Sequence, residues 1–463
     1  MNEGAGEELL SLSLGLNSSW CTNTTKMKRK AKDDHEYSNP ACNVTTMQDV
    51  EDNKFFNLLH MRDQMLKHDP KRSNGALEGT TNGLQLIHLL LFAATAINKN
   101  NTSSAVDALH EIYKNASFHG DSIQRVVAYF ADALSVRIPS PRSPLYHSIV
   151  VSPTPEEEFS AFTEFYRASP YYQFAHFTAN QAIVEAFENE EKRNGGRIHV
   201  IDFDVSYGFQ WPSLIQSLSD KASSSKPISL RITGFGRSVD ELEETEMRLV
   251  NFASGCNNLF FKFEGILRGS STCNDIRIEK YSTLVVNLVF YLQKLSSSNE
   301  MHDTLATIHS LHPSLVVLIE REGNQSPRSF VSRFMESLHY YAAMFDSLNE
   351  CLPPESVERL SIEKNHLGRE IKCGMDQEDG EGHFKVESLK QRMERVGFEE
   401  MKLSSRTVSQ AKLLLKIKSH GSTMGCGSNC GGFRVLVRDE GREISLGWQE
   451  RLLITASGWS CRE

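Results

Sequence analysis

The chain has no surplus of positive charge. It carries 50 lysines and arginines against 59 aspartates and glutamates, a net charge of −9. A chain of that sign does not coat nucleic acid by bulk electrostatics, so DNA contact would need a local patch or a partner. No apolar run approaches the roughly 18 residues of a membrane-spanning helix, and no membrane association is expected. A regular cysteine framework is also missing, because the nine cysteines are scattered and odd in number. Met1 is followed by Glu3, Glu7 and Glu8 instead of a basic and then an apolar segment. Reduced thiols in an intracellular compartment are expected, and the Asn-x-Ser/Thr triplets at Asn17, Asn23 and Asn43 read as chance. No Ser/His/Asp, HExxH or P-loop pattern is present.

The most informative shortage is of glycine, at Arg197–Leu218, RIHVIDFDVSYGFQWPSLIQSL. The stretch reads as a buried parallel strand, a turn and a helix, with Pro212 in the helix's first turn. A dinucleotide or S-adenosylmethionine loop needs two or three glycines there, because backbone must approach the ligand closely. Between Asp202 and Trp211 this turn has only Gly208. The second strand, Ile228–Thr233, should end in an acid for ribose hydroxyls, but Gly234-Phe-Gly-Arg follows. Asp240 and Glu241 read as first-turn helix residues. Asp202 and Asp204 read as helix caps or loop-amide acceptors in preference to a metal or acid/base pair. No cofactor and no catalysis are expected. The alternative kept open is an S-adenosylmethionine-type enzyme or sensor.

Residues 1–79 are rich in Asn, Thr, Ser, Asp and Lys with weak periodicity, and are expected to be a disordered regulatory tail. Within them Leu10, Leu12, Leu14 and Leu16 alternate, so an extended chain would show a leucine face to a partner's groove. Lys26, Lys28, Arg29, Lys30 and Lys32 put five basic residues in seven, which reads as a nuclear-import signal or a nucleic-acid patch, the latter weakened by the flanking Asp33, Asp34 and Glu36.

From residue 82 the pattern is helical. Leu84–Asn98 is apolar nearly all round. Its Leu86, Leu89 and Leu90 match a helix-in-groove pattern, with core packing as the plainer reading. Helices are expected near Ser104–Lys114 and Ser122–Val136, the latter opened by Asp121 and Gln124 at capping-box spacing. Others follow after Pro155 and over Tyr172–Asn189, where His176 reads as a core histidine. Strands are expected at Ile198–Phe203, Ile228–Thr233, Phe260–Phe263, Leu284–Phe290 and Leu315–Glu320, with helices between, one capped by Ser238. Continuous apolar strands alternating with helices predict a parallel sheet covered on both faces. A helix is expected over Ser329–Leu348. The chain then reads as antiparallel strands at Lys412–Lys418, Phe433–Arg438 and Leu452–Thr455. A parallel sheet closed by a late hairpin is the outline of an α/β fold of the class I methyltransferase type, by analogy of fold alone.

Cys426 and Cys430 lack a second ligand pair for zinc and read as part of a glycine-rich hairpin loop. Arg434, Arg438, Arg442, Lys416 and Lys418 lie on or near the expected hairpin and are the candidate DNA-contacting patch. Asp439, Glu440 and Glu443 dilute its field, and a solvated sheet edge explains it equally well.

Five blocks in order resemble the GRAS-domain family of plant transcriptional regulators. RIHVIDFD resembles its signature block, and SPYYQFAHFTANQAIVEAF (Ser169–Phe187) the segment before it. SLVVLIEREGNQ (Ser314–Gln325) with RFMESLHYYAAMFDSL (Arg333–Leu348) resembles the next block, and LGWQERLLITASGW (Leu446–Trp459) the last. The helix from Leu84 corresponds to the first leucine-rich region. The block around Phe177 is most similar to the nodulation-signalling branch. The chain departs from the family after Ile371, where Gly374–Phe384 is acidic and glycine-rich in place of a basic-acidic cluster.

The resemblance implies a GRAS domain over 80–463. Its helical cap would lie mainly over 82–189 plus the helix near 329–348, and its Rossmann-like core over 197–325 and 349–463. It implies a nuclear regulator whose partners are other GRAS proteins and DNA-binding transcription factors, with DNA reached indirectly. The alternating leucines resemble the LxLxL repression motif that recruits a corepressor. A sequence-specific DNA-binding factor is a further alternative.

Overall fold

The computed structural model describes residues 57–63, 79–139, 152–269, 276–295, 297–323, 329–376, 388–421 and 432–462. The leucines at 10–16, the basic run at 26–32 and the pair Cys426 and Cys430 lie outside them. The chain divides into two compact units, Met1–Val150 and Val151–Glu463. The helical stretch 82–189 is therefore shared between the two units.

The first unit contains α1 (Gly79–Asn98), α2 (Thr102–Asn115) and α3 (Ser122–Val136). Asn101 and Asp121 cap the latter two, accepting from the Ser104 and Gln124 amides at 3.2 and 2.8 Å. Helix α3 is buried along its whole length from Arg125 to Val136. Its Asp132 forms an ion pair with Arg62. Leu86 and Leu90 are buried in α1, and Leu89 is half-buried. The two buried leucines are packed in the interior of this unit. Leu84 and Phe92, 60% and 56% exposed, are the open apolar residues of this helix.

The second unit opens with α4 (Pro155–Ala168) and α5 (Pro170–Asn189). A reciprocal capping box starts α4: Glu157 donates its amide to the Thr154 hydroxyl at 3.2 Å, and its carboxylate accepts the Thr154 amide at 2.9 Å. Gly195 and Gly196 then adopt left-handed φ of 56° and 74° to turn the chain into the sheet.

The sheet alternates strand and helix as expected. Its first part runs β1 (Arg197–Asp202), α6 (Trp211–Lys221), β2 (Ile228–Gly236), α7 (Val239–Ser254), β3 (Leu259–Leu267) and β4 (Thr283–Val289). Then come α8 (Ser298–Ser310), β5 (Leu315–Arg321), α9 (Phe330–Cys351), α10 (Val357–Ile362), a π-helical turn at Glu363–Leu367 and α11 (Gly368–Asp376). The chain ends with α12 (Leu389–Val396), β6 (Phe398–Met401), α13 (Ser405–Gly421), β7 (Phe433–Arg438), β8 (Glu443–Trp448) and β9 (Arg451–Cys461). The nine-stranded order is β3-β2-β1-β4-β5-β9-β8-β7, with β6 also on β9. Strands β1–β5 pair in parallel, and β9 runs antiparallel to β5. This is the doubly wound order with a closing hairpin.

Alternation along β4 separates the two layers. Leu284, Val286 and Leu288 join a core with Leu305 and Ile308 of α8, Met393 of α12 and Trp459. The intervening Val285 and Asn287 are also buried, and α5 packs on β4 and β5.

One expected strand is wrong. Lys412–Lys418 lies within the helix α13, not in a strand. Its LLLKIK run looks alternating, but Ala411, Leu414 and Leu415 are the buried residues, at helical spacing. Ser404 caps the helix by accepting the Thr407 amide at 3.1 Å, and α13 packs on α5. The strands β6 and β8 are additional to those the sequence pattern predicts.

Candidate functional site

In open parallel sheets, ligands bind beyond the carboxyl ends of the strands where the order reverses. Here that point lies between β1 and β4. Asp202 ends β1 and is in register with Asn287 of β4. Both are buried.

A chain of side-chain amides fills the crevice. Asn287 donates to Asp202 Oδ1 at 3.0 Å. Asn287 and Gln210 bond reciprocally, each amide nitrogen 3.1 Å from the other's carbonyl oxygen. Gln210 Nε2 also donates to Asn180 Oδ1 at 3.1 Å. Asn180 Nδ2 returns bonds to the Gln210 carbonyl and the Ser213 hydroxyl at 2.8 and 2.7 Å. The network joins α5, the β1–α6 turn and β4. Each polar group in it meets another protein group, which is how a buried polar layer holds together without a ligand.

The turn itself is bulky. Phe203 stacks on Phe235, centroids 5.3 Å apart, and packs against Tyr291. The Val205 amide donates to the Phe235 carbonyl at 3.0 Å. Its side chain lies 3.0 Å from where a Cβ on Gly234 would stand, so the glycine of β2 admits valine and not a ligand. Gly208 has φ +71°, and a Cβ there would meet Thr245 Cγ2 at 2.8 Å. The single glycine serves close packing of the turn onto α7.

The two aspartates differ in role. Burial pushes the Asp202 carboxyl up to about 7, against the pull of the Asn287 bond. The Asp204 amide donates to Asp202 Oδ1 at 3.3 Å, the loop-amide role expected of Asp202. Asp204 is an ion-pair centre instead. Burial would raise its carboxyl, but Lys294 and Arg268 outweigh that and hold it below its usual value. Arg268 reaches it at 3.0 Å, and Lys294 pairs with its other oxygen. Neither basic residue stood out in the sequence. Asn287 could have, as the one polar side chain in the middle of LVVNLVF.

A second, partly buried network lies at the end of β5. Arg321 donates to the Tyr341 hydroxyl and to Glu370 at 2.9 and 3.1 Å. The Tyr171 and Tyr340 hydroxyls are 2.7 Å apart, and Tyr172 meets His366 of the π-helical turn at 2.9 Å. Phe290, with φ +55°, stacks on Tyr171. These contacts tie α5, α9 and the π-helical turn to the sheet. His176 is buried beside Tyr166 and Tyr172, and burial lowers it to about 3. It is a neutral core residue, although its Nδ1 has no hydrogen-bond partner.

The candidate DNA-contacting residues divide between two elements, and several of them are already paired. Lys416 and Lys418 stand on α13, whereas Arg434 and Arg438 stand on β7. Arg438 pairs with Glu322 and Glu443 at 2.7 and 3.5 Å, and Arg434 with Glu450 at 3.1 Å. Lys418 donates to the Arg167 carbonyl at 2.5 Å. Cations paired in this way present little net field to a phosphate backbone.

Comparison with known proteins agrees with this geometry. The GRAS domain family matches residues 86–460. The chain belongs to the GRAS domain family. Scarecrow-like protein 18 of Arabidopsis thaliana is 33% identical over 421 residues, covering 81% of this chain and 91% of that protein. Protein SCARECROW of Pisum sativum is 35% identical over 386 residues, and DELLA protein GAIP of Cucurbita maxima 34% over 399 residues. The chain spans 44% and 64% of the length of those two proteins. The crystal structure of SCL7 in Oryza sativa superposes with a TM-score of 0.64 at 28% identity, covering 81% of this chain and 99% of that one. GRAS relatives are plant transcriptional regulators.

Proposed function

We propose that this GRAS protein is a nuclear transcriptional regulator that works by binding other proteins and performs no chemistry. The observation that carries the reading is the Asp202–Asn287–Gln210–Asn180 network, which occupies the place where a sheet of this order would hold a cofactor. Calorimetry with S-adenosylmethionine tests this directly. No heat of binding is expected, and saturable micromolar binding would overturn the reading.

The domain over 80–463 would dimerise with GRAS proteins and dock DNA-binding transcription factors. In the tail over 1–79, Lys26–Lys32 would direct nuclear import, and Leu10, Leu12, Leu14 and Leu16 would recruit a corepressor. The family membership and the order of motifs in the sequence support this division. Tethering the full chain to an unrelated DNA-binding domain at a reporter should repress it, and Leu12→Ala with Leu14→Ala should relieve repression. Activation, or repression indifferent to those changes, would sink the corepressor role.

A further inference from the structure

The strand β3 closes one end of the sheet. It pairs with β2 along its whole length and, among the described residues, no strand lies on its outer side. An open edge is a template for another strand, and folded proteins ordinarily blunt it. Here Phe260 is 68% exposed, beside Lys262, which is also exposed. The face of β3 turned away from α7 reads Phe260, Lys262, Glu264, Ile266, an acid and a base between two apolar residues. Leu242 of α7 packs by Gly265, on the opposite face.

That order is self-complementary. If a second β3 lies antiparallel with the two-fold axis at Phe263, Lys262 faces Glu264 of the second copy, and Glu264 faces its Lys262. Phe260 then faces Ile266 at both ends, covering the exposed ring. A one-residue slip would move every side chain to the wrong face, and a two-residue slip would set like groups opposite, so the charges also fix the register. Glu264 is held in place by Arg231 of β2, with which it forms an ion pair.

We propose that this chain self-associates through the β3 edge, extending the sheet into a second copy by antiparallel pairing about Phe263. The inference rests on the protein-interaction reading only in taking another GRAS chain as a partner. The site is distinct from the helices of the first unit and from the filled crevice.

Sedimentation equilibrium of the full chain tests it. Reversible dimerisation is expected. Lys262→Glu and Glu264→Lys should each weaken it about ten-fold or more, because each replaces two opposite-charge pairs by two like-charge pairs. An equimolar mixture of the two variants should associate more tightly than either alone, since one edge is then wholly acidic and the other wholly basic. Far-UV circular dichroism of each variant checks that it is folded, and recovery on mixing excludes simple misfolding. A wild-type chain that stays monomeric, or variants that fail to recover on mixing, would overturn the edge pairing. Neither result would touch the reporter test of the regulatory function.

Discussion

Asn287 and Gln210 are locked together as a reciprocal amide pair, both bonds 3.1 Å long, at the point where the sheet order reverses. The pair joins the middle of β4 to the start of α6. Cutting it from one side strands the other side chain among buried groups. Asn287→Ala is therefore expected to cost about 2–3 kcal/mol, the penalty of unsatisfied buried polar groups. Gln210→Ala should cost a similar amount. The double variant should lose clearly less than the sum, because the two residues share the bonds. Urea unfolding of the four proteins gives the cycle. Simple additivity would show that the pair is not a unit.

The raised carboxyl of Asp202 makes stability depend on pH with a defined sign. Burial holds its proton up to about 7, whereas an unfolded chain releases it near the ordinary aspartate value. Between those values the folded state binds more protons, so stability falls as pH rises. Glu320, whose carboxylate accepts the Leu292 amide at 2.6 Å, is pushed up to about 7 by burial and adds to the same slope. Asp202→Asn should flatten the decline between about pH 4 and pH 7 by roughly 3 kcal/mol. Asp202→Asn with Glu320→Gln should flatten it further. Unfolding free energies at pH 5, 6, 7 and 8 decide this, and a decline of equal steepness in the variant would count against it.

Asp204 predicts a contrast between two ion pairs. Its carboxylate is buried between Arg268 and Lys294, at the mouth of the crevice. Both cations are partly open to water, so their loss is screened. Asp204→Ala is expected to cost about 2 kcal/mol, below the range for a fully buried pair. Glu191 pairs with Lys226 on the open surface. Glu191→Ala should leave the thermal midpoint unchanged.

Most of the parallel sheet was legible because its strands are continuous apolar runs bounded by capped helices. Ser238 and Asp121 stand at helix starts as their spacing predicts. The late part was harder. In α13 the lysines of LLLKIK fall at every second position and imitate a strand, while the buried Ala411, Leu414 and Leu415 keep a helical period. The shortage of glycine goes with a turn packed by bulky side chains, Phe203 on Phe235 and Val205 against Gly234. The amide network at that turn was not legible, because Asn180, Gln210 and Asn287 are far apart in sequence and only the topology brings them together. The pair between Arg438 and Glu322 is hidden for the same reason, since Glu322 reaches it from just past β5 across 116 positions.

The remaining glycine of that turn gives the sharpest test of its packing. Gly208 sits at φ +71°, and the space beyond its Cα is taken by Thr245 Cγ2 at 2.8 Å. Gly208→Ala meets two obstacles, the left-handed backbone and the close methyl group. Together they should cost about 2–3 kcal/mol. Thr245→Ser removes the methyl while keeping the hydroxyl that accepts from Arg248 at 3.0 Å. Combined with Gly208→Ala it should recover the steric part, leaving about 1 kcal/mol of backbone strain. If Thr245→Ser recovers nothing, the cost lies wholly in the backbone. If Gly208→Ala costs nothing, the turn is looser than this packing requires, and the crevice it closes would be open to a ligand.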